Sequence, residues 1–264
     1  MVSAAVGVDL TDGGRWNSLR LAGREWLWSG PGLASGPRTG DIAFTDAGGL
    51  DECFPTVRGT PDHGGLWNQV WSADGEWDVV RWGEAELRRR MNGGERPPGV
   101  VDGPTGVVWA DYLLTAPAGY RFVWAAHALL DCAVGAVVEV PEGTGCRLYP
   151  DDGPWVEGSW SASLGTYGPT DGTAVGAVLE TPSACVRDRG QELTFALSCP
   201  GQPVSTALWR NLGGFPVGAP YRSLGVEPML GRVFGLDEAG PGDAAVVPAG
   251  GELAWRLVVS ARPV

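Results

Sequence analysis

The 264-residue chain holds only two histidines, His63 and His127, and its five cysteines (Cys53, Cys132, Cys146, Cys185 and Cys199) are scattered without a Cys-x-x-Cys pair. That odd, dispersed set argues against a disulfide scaffold and against a zinc site. The chain has no Gly-x-Ser-x-Gly elbow, Walker loop, dinucleotide fingerprint after a strand or His-Glu-x-x-His segment, so the usual signatures of acyl transfer, nucleotide binding and zinc proteolysis are missing. A transition-metal site would need carboxylates at positions the sequence does not single out. Basic residues are few as well, 19 against 31 acidic ones, giving a net charge of -12 and a pI near 4.6. Nucleic-acid affinity comes largely from clustered Lys and Arg, so no nucleic-acid partner is expected. The first residues, Met-Val-Ser-Ala-Ala-Val-Gly-Val-Asp, show no basic segment followed by a long apolar run. Neither a signal peptide nor a membrane anchor is expected, and the cytoplasm is the default location.

What the chain has in quantity is glycine (42), proline (21) and tryptophan (13), within a composition that is 44% hydrophobic. Glycine and proline at that density break long helices but suit short strands joined by turns. Strands are predicted at 6–10, 16–21, 77–82, 85–90, 107–114, 120–130, 136–140, 174–179, 192–197, 205–209 and 253–260, with a surface excursion over 29–50 and a loop over 150–173. No repeat or linker divides the sequence, so residues 1–264 are expected to form one all-β domain, an antiparallel sandwich. The one dense basic run, Arg88-Arg89-Arg90, follows Glu84 and Glu86. Alternation forbids all three arginines from facing one side, and a solvated edge strand is expected.

Three ionisable residues stand in unusual settings. His63 lies in Pro-Asp-His-Gly-Gly, a turn composition, and reads alone as a surface loop histidine. His127 ends the apolar run Tyr120-Arg121-Phe122-Val123-Trp124-Ala125-Ala126, where a ring without a partner would be expensive to bury. Taken alone, it reads as a satisfied core histidine. Glu227 sits between Val226 and Pro228; it is either a solvent-facing turn residue or a carboxylate at a sheet rim, aimed into a cleft whose low dielectric raises its pKa. Trp67, Trp71, Trp109, Trp124, Trp155, Trp160 and Trp209 could stack on sugar rings, although most of them suit a core.

Taken together, these segments resemble the aldose 1-epimerase (galactose mutarotase-like) superfamily over nearly the whole chain. Gly13-Gly14-Arg15 through Gly23-Arg24-Glu25-Trp26-Leu27 is similar to that family's first hairpin. Asp51-Glu52-Cys53-Phe54-Pro55 and Pro61-Asp62-His63-Gly64 look like its active-site loop and first histidine. Trp124-Ala125-Ala126-His127-Ala128-Leu129-Leu130 resembles the segment of the second histidine, with Ala128 in place of the usual proline. Val226-Glu227-Pro228 matches the Glu-Pro of the catalytic base, and Val246-Val247-Pro248-Ala249-Gly250-Gly251 resembles the turn before the last strand.

The resemblance implies a super-sandwich of the galactose mutarotase type, an isomerase acting at the anomeric carbon of a small carbohydrate, and no cofactor. Glu227 would be the base, protonated His127 the acid, and His63 would orient the sugar. Arg58, Trp67, Trp209 and Asn211 are candidates for substrate binding. The sugar-phosphate branch of the family tends to place an arginine soon after the first His-Gly, where this chain has Gly65-Leu66-Trp67-Asn68; a neutral sugar is therefore expected. A non-catalytic carbohydrate-binding protein, or an isomerase or lyase reusing the same cleft, are the alternatives. The chain is expected to be a monomer or homodimer.

Overall fold

Residues 106–115 alternate buried and partly exposed positions without a break, the period-two pattern of a strand with one face on a core. In the computed structural model, which describes residues 4–30, 47–93, 106–150 and 154–264, the same pattern recurs along the chain. The strands run β1 (Ala5–Asp9), β2 (Arg15–Leu21), β3 (Arg24–Glu25), β4 (Leu50–Cys53), β5 (Ser72–Asp74), β6 (Trp77–Trp82), β7 (Ala85–Gly93), β8 (Gly106–Thr115), β9 (Arg121–Phe122) and β10 (Trp124–Leu130). They continue as β11 (Val137–Glu139), β12 (Gly145–Tyr149), β13 (Val156–Ser159), a helical turn α1 (Ala162–Gly165), β14 (Ala174–Leu179), β15 (Ser183–Asp188), β16 (Gln191–Ser198), β17 (Val204–Phe215), β18 (Tyr221–Leu230), β19 (Ala245–Val246) and β20 (Glu252–Pro263).

Two antiparallel sheets hold most of them. The first follows the order β1-β2-β4-β10-β18-β17-β14-β12-β13, with β3 paired to β2; the second follows β11-β15-β16-β20-β8-β7-β6-β5. Between the sheets lies an aromatic-rich core in which Tyr112 stacks on Trp255 at 5.2 Å and Trp124 packs edge-on against both. Fully burying a large apolar side chain contributes about 1.5–3 kcal/mol, so this cluster is a principal source of stability. A second, smaller apolar cluster (Cys53, Val57, Val123, Ala125, Tyr149, Ala207, Met229 and neighbours) covers the opposite face of the first sheet. The fold is the all-β antiparallel super-sandwich expected from the sequence.

Several local expectations are corrected. The 150–173 stretch contains β13 and α1, and most of the excursion expected over 29–50 lies outside the described residues. The triple-arginine segment is not an edge: β7 pairs with β6 on one side and β8 on the other. Alternation does separate the three side chains, and it sends Arg89 inward, fully buried, where Glu52 lies 3.0 Å and Asp78 3.1 Å from its guanidinium. Arg88 and Arg90 stay on the outer face with acidic partners. Pro228 does not end a strand either; it pairs with Thr206 inside β18.

Candidate active site

The central strands β4, β10 and β18 carry the site, and their registers fix its layout. His127 faces Asp51 across β10 and β4. Across β10 and β18, Ala125 faces Met229 and Leu129 faces Gly225, which puts His127 opposite Glu227. On the other flank Trp16 faces Leu50, so Arg15 of β2 lies beside Asp51. Direct cross-strand neighbours share a face. Arg15, Asp51, His127 and Glu227 therefore form one transverse row, while their chain neighbours Trp16, Leu50, Ala126, Ala128 and Val226 point into the intersheet core.

The row is closely spaced. His127 Nε2 lies 3.6 Å from Glu227 Oε1, and Arg15 Nε lies 3.1 Å from Asp51 Oδ1. Glu227 is only 2% exposed and His127 6%. Between these two residues the β10–β18 ladder skips from Ala125/Met229 to Leu129/Gly225. Pro228 has no N–H to offer, whereas pairing to β17 on the other side continues through it. The sheet is thus locally unlaced where the two titratable side chains meet. Glu227 lies mid-strand at the centre of the sheet, not at a rim.

A loop brings in the second histidine. His63 adopts φ 59° and donates its backbone N–H to Val57 O at 2.8 Å. Its ring stands edge-on to that of His127 with centroids 5.0 Å apart, and its Nδ1 lies 3.1 Å from Asp62 Oδ1. The residue after it has to be glycine: Gly64 has φ +72°, and a Cβ there would fall 2.0 Å from Phe54 O. Trp67 Nε1 donates to the carbonyls of Asp62 and Gly64 at 3.0 and 2.9 Å, clamping the loop from behind.

Burial dominates the electrostatics. It raises the Glu227 carboxyl to about 8 and holds His127 well below the usual imidazole value, with His63 and Arg15 adding to the latter shift. Burial likewise lifts Asp51 to about 7, against the lowering pull of Arg15. Both shifts favour the neutral forms, a protonated Glu227 and an uncharged His127, the reverse of the charge assignment expected from the sequence.

The structure brings His63, His127 and Glu227 together. Trp209 lies on the same face, partly exposed, opposite Gly225 in the next row. A Cβ on Gly225 would sit 2.7 Å from Glu227 Oε1 and 3.0 Å from Trp209 Cβ, so the carboxylate and the tryptophan adjoin. Arg58, half-buried, lays its guanidinium over Tyr149 at 5.1 Å and Phe234 at 5.9 Å beside the small apolar cluster. Trp67 and Asn211 are different. Trp67 is 2% exposed and serves the loop clamp. Asn211 is fully buried; its Oδ1 accepts from the backbone N–H groups of Gly213, Gly214 and Phe215, and its Nδ2 donates to Phe215 O. In this structure neither offers a sugar an open surface.

Asp51 and Arg15 were not singled out from the sequence as site residues. The available signal was the Asp-Glu pair after Leu50: in a strand its two carboxylates must face opposite ways, one to the site and one to the core. Glu52 is the inward one, accepting from Tyr112 Oη (2.8 Å), Trp124 Nε1 (2.7 Å) and Arg89 Nη1 (3.0 Å). A separate open groove of about 680 Å³ on the second sheet is lined by Trp77, Arg90, Asp111 and Arg256 among others. Both of its arginines are tied to Asp111, so it offers no acid–base pair. Among the described residues no group of three or more His, Cys, Asp or Glu is placed to hold a metal ion, and no helix is long and apolar enough to cross a membrane.

No family model matches the sequence, and no curated protein matches it. Solved structures do. A candidate aldose 1-epimerase from Escherichia coli K12 superposes with a TM-score of 0.70 at 15% identity, covering 100% of this chain and 97% of its own. The Slr1438 protein of Synechocystis sp. PCC 6803 gives 0.67 at 13% identity, covering 99% and 92%. A galactose mutarotase related enzyme from Lactobacillus acidophilus gives 0.62 at 11% identity, covering 99% and 95%. Likeness at such low identity establishes the architecture, and it extends over more than nine-tenths of each chain.

Proposed function

On a fold of the galactose mutarotase type, we propose that this protein is an aldose 1-epimerase-like isomerase that interconverts the anomers of a neutral sugar at the His127–Glu227 pair. The observation that carries the reading is the 3.6 Å separation of His127 Nε2 and Glu227 Oε1 on one face of the sheet. In a pyranose, O1 and O5 are bonded to the same carbon, so an acid and a base this close reach both. A binding protein has no need of such a pair.

In ring opening, the Glu227 carboxylate takes the O1 proton, the C1–O5 bond breaks as C1=O1 forms, and the His127 imidazolium gives its Nε2 proton to O5. Rotation about C1–C2 turns the aldehyde. In closure the C5 hydroxyl returns its proton to His127 while attacking C1, and Glu227 returns a proton to O1. Both groups end as they began. One proton shared by the pair suffices, and the two steps use its two placements. The neutral forms that burial favours, protonated Glu227 and uncharged His127, are the ones that start closure. In this reading His63, edge-on to His127, orients the sugar. Trp209 adjoins the carboxylate as a stacking face, and Arg58, over Tyr149 and Phe234, is the candidate cation for a sugar hydroxyl.

The test is polarimetry or NMR of freshly dissolved α-glucose and α-galactose, with the protein and with Glu227→Gln. Acceleration by the native protein that disappears in Glu227→Gln is expected. Equal acceleration by both would remove Glu227 from the mechanism.

A further inference from the structure

The site-facing side of the β17–β18 hairpin continues past Glu227 as a strip of aromatic side chains. Glu227, Gly225, Ser223 and Tyr221 alternate along β18 on one face, and their partners on β17 are Ala207, Trp209, Asn211 and Phe215. Trp209 packs edge-on to Phe215 at 5.7 Å, and Tyr221 stacks on Trp28 at 5.4 Å with 26° between the planes. Trp28, Trp209 and Tyr221 are partly exposed, and Phe215 is 47% exposed. A half-exposed phenylalanine at a hairpin end is normally left to move. Here the Asn211 amide, accepting from the backbone N–H groups of Gly213, Gly214 and Phe215 and donating to Phe215 O, holds the backbone that carries it.

Beneath the strip, between Glu227 and Tyr221, the Ser223 hydroxyl is buried and has no hydrogen-bond partner among the described residues. Buried hydroxyls are rarely left unsatisfied, and this one offers a sugar hydroxyl both a donor and an acceptor. The distance along β18 from Glu227 to Tyr221 is about 20 Å at the usual strand rise, several sugar rings long.

We propose that this strip is a set of further sugar subsites, so that the protein takes the reducing end of a linear oligosaccharide rather than a free monosaccharide alone. This rests on the reading of His127 and Glu227 as the anomeric site. C1 and O5 of the terminal ring face that pair, and the chain leaves from the other side of the ring. The apolar C–H faces of the following rings then lie on Trp209, Phe215, Tyr221 and Trp28. Aromatic faces suit those C–H faces, and the rings lose little conformational freedom on binding.

Calorimetric titration with matched series tests it: glucose, cellobiose and cellotetraose; glucose, maltose and maltotetraose; galactose and β-1,4-galactobiose. In one series Kd is expected to fall by about tenfold or more from the shortest member to the longest, equivalent to about 1.4 kcal/mol. In Phe215→Ala and Tyr221→Ala that gain with length should shrink to about threefold or less; Phe215 is exposed enough that its removal leaves the fold intact. Affinities independent of length in every series, or a gain unchanged in both variants, overturn the proposal. The readout is separate from catalysis. Length-dependent binding without any mutarotation would sink the epimerase reading and keep the subsites, whereas mutarotation with length-independent binding would do the reverse.

Discussion

Gly225 offers the sharpest test of the site geometry, because a single methyl there can be followed to its contacts. Its φ is not in the left-handed region, so Gly225→Ala places no strain on the backbone. The new Cβ would lie 2.7 Å from Glu227 Oε1, 3.0 Å from Trp209 Cβ and 3.2 Å from Leu129 Cδ2. A methyl carbon and an oxygen need well over 3 Å, so the carboxylate must retreat by half an ångström or more. It sits at the end of a flexible side chain and can do so cheaply. The Trp209 and Leu129 contacts are tight rather than impossible, and overpacking of this degree costs roughly 1–3 kcal/mol. Catalysis is far more sensitive: a displacement of about 1 Å can lower a rate by about 10²-fold. Gly225→Ala is therefore expected to fold with a modestly lowered Tm and to lose about 10- to 100-fold in kcat for mutarotation, measured by polarimetry beside thermal unfolding. A normal rate in a stably folded variant would show that the Glu227 carboxylate does not need its present position. Such a result would refute the assignment of the base.

Two further outcomes follow from buried charges. Glu52→Leu takes from the fully buried Arg89 guanidinium its buried carboxylate partner and leaves it Asp78 and the face of Trp71; removing one partner of a buried pair typically costs about 3–5 kcal/mol, so chemical denaturation should show a loss of that order, and a loss under about 1 kcal/mol would mean water reaches the cluster. Glu227 titrates near 8 in the fold against 4.5 for the free side chain, so its stabilising contribution is complete below about pH 4.5 and is lost as pH rises through about 8. Glu227→Gln should accordingly unfold at a higher Tm than the native protein at pH 8–9, with the difference vanishing near pH 4; a pH-independent difference would contradict burial as the cause. The same shift predicts that kcat/KM falls above about pH 8, where the pair gives up the one proton it shares.

The sequence revealed the sandwich because its signals are local. Alternation along 107–114 and 253–260 marks strands with one face on a core, and the observed β8 and β20 contain those stretches. It hid the sheet order, which rests on pairings between residues far apart such as Arg15 with Asp51. It also misled where a local rule met a tertiary exception. Three arginines in a row read as solvent-facing, yet Arg89 is buried because Glu52 and Asp78, 37 and 11 residues away, compensate its charge. Asn211 and Trp67 carry side chains that could contact a sugar, and only the fold shows that a turn and a loop already occupy them. His63, His127 and Glu227 were legible through motif context; their partners Asp51 and Arg15 were not, since no short motif records a cross-strand neighbour.

The segment Gly225-Val226-Glu227-Pro228 shows how a buried carboxylate can be kept at the centre of a sheet. Central strands normally exclude proline, which removes a ladder hydrogen bond, and glycine, which packs nothing. Both occur here within four residues, one on each side of Glu227. Gly225 leaves the volume that Oε1 occupies, and Pro228, facing Ala126, opens the ladder toward β10 beside His127. Val226, between them, points the other way and keeps the strand anchored in the core. Each departure weakens the sheet, and taking the ionisable side chains of Glu227 and His127 out of water weakens it further. Sequences that break local rules in this way tend to do so at functional sites. The expectation that Glu227→Gln stabilises the protein while abolishing turnover is that trade stated as a measurement.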